Sequence, residues 1–141
     1  MSAFHTTRRV EFRDTDAAGI MHFSTYFTKM EEAEHELLRS IGSSVYLRDQ
    51  DGVLVSWPRV AVECHYRGAA RFEDILDIAV HVERMGTSSV TFAFVFRRHN
   101  ELIAEGRITA VCCRIRDGER PEPIPIPAKI REQLQRYLEV T

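Results

Sequence analysis

One apolar stripe constrains the fold of this chain more than any other feature. From Phe23 to Ile41, apolar residues recur at Tyr26, Met30, Ala33, Leu37 and Ile41, with Phe27 and Leu38 beside them. Steps of three and four put these residues on one side of an α-helix, and Lys29, Glu31, Glu32, Glu36 and Arg39 keep clear of it. The helix is predicted to begin near Phe23 or Ser24, with Ser24 or Thr25 as its cap and Gly42 at its end. At ~1.5 Å per residue it is roughly 28 Å long. In a chain of 141 residues, most of the residues C-terminal to it have to cover it.

Those residues alternate. Leu76, Ile78, Val80 and Val82 interleave with Asp77, Ala79, His81 and Glu83, and Val90, Phe92, Phe94 and Phe96 interleave with Thr91, Ala93, Val95 and Arg97. A period of two is a strand, and the phenylalanine stripe is core. Leu54 to Tyr66 carries Val60, Val62, Cys64 and Tyr66 on one face, and Leu102 to Ile115 reads as one long strand with a bulge at Gly106. The links Met85-Gly86-Thr87 and Arg98-His99-Asn100-Glu101 are short, so the pairing is antiparallel.

Ahead of the helix, Arg8 to Arg13 alternates as a short strand ending at Phe12, and Asp14 to Gly19 is a loop. Ser43 to Val53 is polar and irregular, with a turn at Asp51-Gly52. Pro121, Pro123, Pro125 and Pro127 make an extended segment unfit for a central strand. Pro127 opens a last helix carrying Ile130, Leu134, Tyr137 and Leu138. The pattern predicts one α+β domain over residues 1–141, in which an antiparallel sheet of about five strands wraps one long helix.

Composition narrows the function classes. A hydrophobic content of 44% supports a real core, and a net charge of −2 gives no reason to expect nucleic acid or an anionic membrane surface as partner. No apolar run approaches the roughly 20 residues of a membrane span. Residues 1–7 lack the basic-then-apolar leader pattern. Cys64, Cys112 and Cys113 sit in apolar strand-like runs without a CxxC pair, so they read as reduced core thiols and no metal site is expected. The expectation is a cytoplasmic protein.

The run Phe12-x-Asp14-Thr15-Asp16-x-x-Gly19-Ile20, with Tyr26 downstream, resembles the 4-hydroxybenzoyl-CoA thioesterase family of hotdog-fold acyl-CoA thioesterases, in particular its Asp-Thr-Asp branch. The likeness continues through Tyr66-Arg67-Gly68-Ala69-Ala70-Arg71-Phe72-Glu73-Asp74-Ile75-Leu76 and through Met85-Gly86-Thr87-Ser88-Ser89-Val90. It implies a hotdog fold that pairs two subunits edge to edge, as a homodimer or homotetramer with active sites at the subunit interface. It implies hydrolysis of an acyl-CoA thioester, with coenzyme A as part of the substrate and no cofactor. It makes Asp16 the catalytic carboxylate and the Phe23 backbone N–H the donor to the thioester carbonyl. Many members of that branch carry an aromatic and then a histidine before the helix; here His22 comes first and Phe23 second, and the aromatic at position 23 resembles the founding 4-hydroxybenzoyl branch.

The residues themselves fit that chemistry. Asp16, with an ordinary pKa of roughly 3.9, is ionised at pH 7 and can attack a thioester or deprotonate a water. A helix N-terminus offers unpaired N–H groups to an oxyanion. A thiol with a pKa of about 8.5 leaves without a strong general acid, so the site suits thioesters better than oxygen esters. Gly19 lets the loop close. His22, Tyr26, Thr87 and Ser88 are candidate substrate contacts, and Phe23, Tyr26, Phe27 and Trp57 are candidate pocket walls.

Simpler readings stand beside these. Asp14 reads as a turn residue, His65 and His81 as structural, and Glu31, Glu32, Glu34 and Glu36 as a solvated helix face, with Glu32 or Glu34 alternatively facing a partner's pocket. Arg67, Arg71 and Arg84 are candidate phosphate contacts. Two other functions compete: a hotdog acyl-thioester hydratase or dehydratase pairing His22 with Asp16, and a non-catalytic acyl-CoA-binding module.

Overall fold

The structure, a computed structural model, describes residues 3–139. The parts of the sequence reading that fall on Met1, Ser2, Val140 and Thr141 lie outside the described residues. The chain runs through β1 (Phe4–Arg9), a 3-10 turn (Phe12–Asp14), α1 (Thr25–Ser40), β2 (Leu47–Arg48), β3 (Leu54–Ser56), β4 (Arg59–Tyr66), β5 (Ile75–Met85), β6 (Ser89–Arg98), β7 (Glu101–Val111), β8 (Cys113–Ile115), β9 (Glu122–Pro123) and α2 (Ala128–Gln135). A five-stranded antiparallel sheet has the order β1-β5-β6-β7-β4, and a small sheet has the order β2-β3-β8-β9.

Helix α1 lies across the five-stranded sheet, which wraps it in the hotdog arrangement. Its stripe of Tyr26, Met30, Ala33, Leu37 and Leu38 is buried against Leu76, Ile78 and Val80 of β5 and Phe92, Phe94 and Phe96 of β6. Ser24 is the N-cap, and Gly42, with φ +77°, ends the helix as a left-handed residue. The β6–β7 link turns on His99 and Asn100, both with positive φ, which suits a tight hairpin.

Several sequence expectations need correction. The first strand is Phe4–Arg9 and not Arg8–Arg13. Val10 leaves it to exchange backbone bonds with Glu73 and Asp74, and Phe12 opens a 3-10 turn with its ring exposed. Leu54–Tyr66 breaks at Trp57-Pro58 into β3 and β4, which belong to different sheets. Leu102–Ile115 breaks at Cys112, whose N–H goes to the Ser88 carbonyl and whose carbonyl accepts from Ile124. Gly106 is not a bulge. It pairs regularly with Phe94 and Cys64, and a Cβ there would lie 2.5 Å from the Met30 sulfur, so glycine is what lets the helix approach the sheet.

Pro127 is the cap of the last helix, which ends at Gln135. Tyr137 to Glu139 then bond to Val82 alongside β5. Glu34 is not on a solvated face: it is fully buried and holds Arg59 of β4 with a two-pronged contact of 2.5 and 3.0 Å. Cys112 and Cys113 are buried and Cys64 is half-buried, all as free thiols.

Candidate active site

The loop between the 3-10 turn and α1 is a tight hairpin built by its own backbone. Thr15 bridges Met21, the Asp16 N–H donates to the Ile20 carbonyl, and the His22 N–H donates to the Asp14 carbonyl. Gly19 turns it, with φ +80° and open space where a Cβ would go, so what the position demands is the left-handed conformation. The segment 70–74 flanks the hairpin: Met21 donates to the Ala70 carbonyl and Ile20 bridges Arg71. Asp74 caps that segment from below through the Arg71 N–H and is gripped by Arg98 at 2.6 Å.

The two carboxylates of the motif sit in different surroundings. The buried anion is Asp14. One of its oxygens accepts from the Glu11 N–H at 2.8 Å and faces the buried ammonium of Lys29 at 3.4 Å. Asp14 thus ties the 3-10 turn to the second turn of α1. Asp16 is only half-buried. One of its oxygens accepts from the Ala18 N–H at 2.8 Å, and the other has no hydrogen-bond donor among the described residues.

The start of α1 is equally specific. Of the N–H groups of His22 to Thr25, three are engaged: His22 with the Asp14 carbonyl, Ser24 with His22 Nδ1 at 3.2 Å, and Thr25 with the His22 carbonyl at 2.9 Å. The Phe23 N–H has no acceptor among the described residues. A free N–H at a helix start carries partial positive charge and is ready for an anionic oxygen. His22 Nδ1 also lies 2.8 Å from the Ser24 hydroxyl. Because Nδ1 accepts from the Ser24 N–H, its lone pair caps the helix, and His22 makes no hydrogen bond to Asp16. The histidine–carboxylate pair that a hydratase reading needs is not formed within the chain.

The remaining candidates separate. Tyr26 is buried between Tyr66 and Phe96, edge-on to rings 5.1 and 5.3 Å away, and burial pushes its phenol up to about 12. Trp57 is buried near Arg59, to which its carbonyl is bonded. Thr87 and Ser88 stand at the far end of β5 from the hairpin, roughly 33 Å away by strand length. Their carbonyls accept from Ile126 and Arg131 and from Cys112. The structure therefore brings Asp16, Gly19, His22 and Phe23 together and leaves Thr87 and Ser88 apart. Four surface hollows of 200 to 510 Å³ have none of Asp16, Gly19, His22, Phe23 or Tyr26 in their walls. No group of His, Cys, Asp and Glu among the described residues has metal-binding geometry.

Sequence reasoning missed Tyr66 as part of this region. Its hydroxyl donates to the Phe23 carbonyl at 2.9 Å from the end of β4. Its place on a strand face and at the head of the Tyr66–Leu76 block was visible in the sequence, and neither pointed to a bond with the helix start.

Comparison with known proteins fits this geometry. The family model described as "Thioesterase-like superfamily" matches residues 10–134. The acyl-CoA thioester hydrolase YbgC of Escherichia coli O157:H7 is 30% identical over 123 residues, 86% of this chain and 88% of that protein. A hypothetical protein of Aquifex aeolicus superposes with a TM-score of 0.81 at 27% identity, over 93% of this chain and 98% of that one. A variant of 4-hydroxybenzoyl-CoA thioesterase, crystallised with 4-hydroxybenzoyl-CoA, superposes with a TM-score of 0.81 at 21% identity over 95% and 99%, a likeness of fold.

Proposed function

The chain belongs to the thioesterase-like superfamily, and from that premise we propose that it hydrolyses an acyl-CoA thioester to the free acid and coenzyme A. The observation that carries this reading is the free Phe23 N–H at the start of α1, on the same hairpin as the unoccupied carboxylate oxygen of Asp16. Asp16 either adds to the thioester carbonyl carbon or takes a proton from the water that does. In the first route the tetrahedral oxyanion sits on the Phe23 N–H and the thiolate leaves. Water then opens the resulting mixed anhydride and returns the Asp16 carboxylate. An oxyanion donor of this kind is worth ~3–4 kcal/mol.

The site opens beside the free edge of β4, and we assign that edge to a second copy of the chain. Val62 and Tyr66 point to the core side of the sheet yet stay half exposed, because no further strand of the described residues pairs with β4 beyond β7. Thr87 and Ser88 reach substrate only if a second copy brings them. The motif Asp14-Thr15-Asp16 favours the Asp-Thr-Asp branch. One domain spanning residues 1–141 and a cytoplasmic location, which the three free thiols favour, complete the proposal. No helix of the described residues is long and apolar enough to cross a membrane.

The test is free-thiol release from acetyl-, hexanoyl-, palmitoyl-, benzoyl- and 4-hydroxybenzoyl-CoA, with Asp16→Asn beside the wild type. Turnover by the wild type and a loss of ~10²-fold or more in kcat for the variant are expected. Near-full activity in Asp16→Asn overturns the mechanism. Acyl-CoA binding with no thiol release from any member of the panel favours the binding module instead.

A further inference from the structure

The proposed oxyanion donor is a backbone group, and a backbone group is only as well aimed as the peptide planes on either side of it. The plane before the Phe23 nitrogen is fixed on its carbonyl side, where His22 accepts from the Thr25 N–H at 2.9 Å. The Phe23 side chain does not anchor the residue. It is 62% exposed and touches the His22 ring, with centroids 4.4 Å apart. The plane after Phe23 is held at one end by the Ser24 N–H to His22 Nδ1 and at the other by the Tyr66 hydroxyl, which donates to the Phe23 carbonyl.

Tyr66 is built for that contact. It is the last residue of β4, on the core side of the sheet opposite Ala104. Its ring packs edge-on to buried Tyr26, which packs in turn on Phe96 of the central strand β6. Partial burial, with Cys64 alongside, pushes the phenol up to about 12, so the hydroxyl remains a donor across the working pH range. The carbonyl it holds belongs to Phe23, whose own N–H has no acceptor among the described residues.

We propose that Tyr66 is a positioning residue for thioester hydrolysis: its hydroxyl fixes the Phe23 peptide so that the neighbouring N–H points at the thioester oxygen. This inference rests on the functional reading above. It couples the edge strand β4 to the reacting group. A change at that edge then reaches the chemistry through one hydrogen bond, without Tyr66 touching the reacting atoms.

Tyr66→Phe tests it, since it keeps the ring and deletes only the bond. The Phe23 carbonyl it releases is on an exposed residue and is satisfied by water, so the fold survives. With the best substrate of the panel, kcat is expected to fall about tenfold, the worth of one well-placed hydrogen bond, while KM stays within about twofold. A purely structural role would instead lower the active fraction and the melting temperature and leave the kcat of the folded fraction unchanged. The second readout is the infrared stretch of a ¹³C-labelled thioester carbonyl bound to Asp16→Asn. Adding Tyr66→Phe should move it back toward its value in water. Wild-type turnover with unchanged kcat in Tyr66→Phe, or an unmoved carbonyl stretch, overturns the role of Tyr66 and leaves the thioesterase reading standing. Absence of turnover in the wild type overturns both.

Discussion

Two carboxylates two residues apart do different work here, and they fail differently. Asp14 is buried with Lys29 and accepts from the Glu11 N–H. Asp16 is half-buried with one oxygen free. Asp14→Asn leaves the buried Lys29 ammonium with only the partly solvated Glu32 carboxylate, 3.9 Å away, as its anion, a loss of about 3 kcal/mol and on the order of 10 °C in Tm. Asp16→Asn keeps its bond from the Ala18 N–H and is expected to melt within ~2 °C of the wild type while losing activity. Thermal melts beside thiol-release assays check the contrast, and equal melting losses in the two variants would refute it. The sequence showed that a polar loop with two carboxylates precedes a helix. It could not show which of them is buried, because that depends on where Lys29 lands, one helical turn inside α1. The free N–H of Phe23 was legible only by analogy, since backbone hydrogen bonding leaves no mark on residue identity.

Helix α1 is held from both edges of the sheet by arginine–glutamate contacts. Arg8 of β1 reaches Glu32 and Glu36 at 3.1 and 3.3 Å, and Arg59 of β4 grips Glu34. The first pair is partly solvated and contributes little. The second is not. Burial raises Glu34 from 4.5 to about 6, with Arg59 pulling it back down. Because the folded pKa lies above the ordinary one, the folded chain holds that proton more tightly. The resulting stabilisation is full below about pH 4.5 and is lost as the pH rises through about 6. Removing Arg59 exaggerates this. Arg59→Met is expected to cost about 3 kcal/mol at pH 8, where Glu34 would be a buried unpaired anion, and clearly less at pH 5, where Glu34 takes up a proton. Urea unfolding at the two pH values measures it, and an equal loss at both would mean that Glu34 carries no charge in the fold. Periodicity revealed α1 and the core strands β5 and β6 because each shows one buried face along its length. It missed the breaks at Trp57-Pro58 and Cys112, where the chain changes sheets while its apolar run continues.

At the scale of the whole molecule, the sheet has an uncovered end. The stripe Val60-Val62-Cys64-Tyr66 reads as a core face in the sequence, yet Val60 is 63% and Val62 50% exposed. For Val62 strand order explains this: β4 is an edge, paired with β7 on one side only, and strand order is not written in alternation; Val60 is the unpaired residue where the register shifts between Arg59 and Ala61. An apolar edge with open backbone groups is an aggregation hazard unless something pairs with it. A second copy, β4 against β4, would pair the edge, bury Val62, and enclose the region around Phe23 and Tyr66 that the single chain leaves open. A lysine on such an edge blocks pairing without harming the chain that carries it, because the position is already half in water. The wild type is therefore expected to run as a dimer or larger in light scattering, and Val62→Lys to run as a monomer at the same concentration, to keep its circular-dichroism spectrum and to lose at least ~10-fold in thiol release. If Val62→Lys stays assembled and fully active, the β4 edge is not where two copies meet. If it becomes a monomer with full activity, the site is complete in one chain, and the half-exposed aromatic residues at the start of α1 enclose the substrate without help.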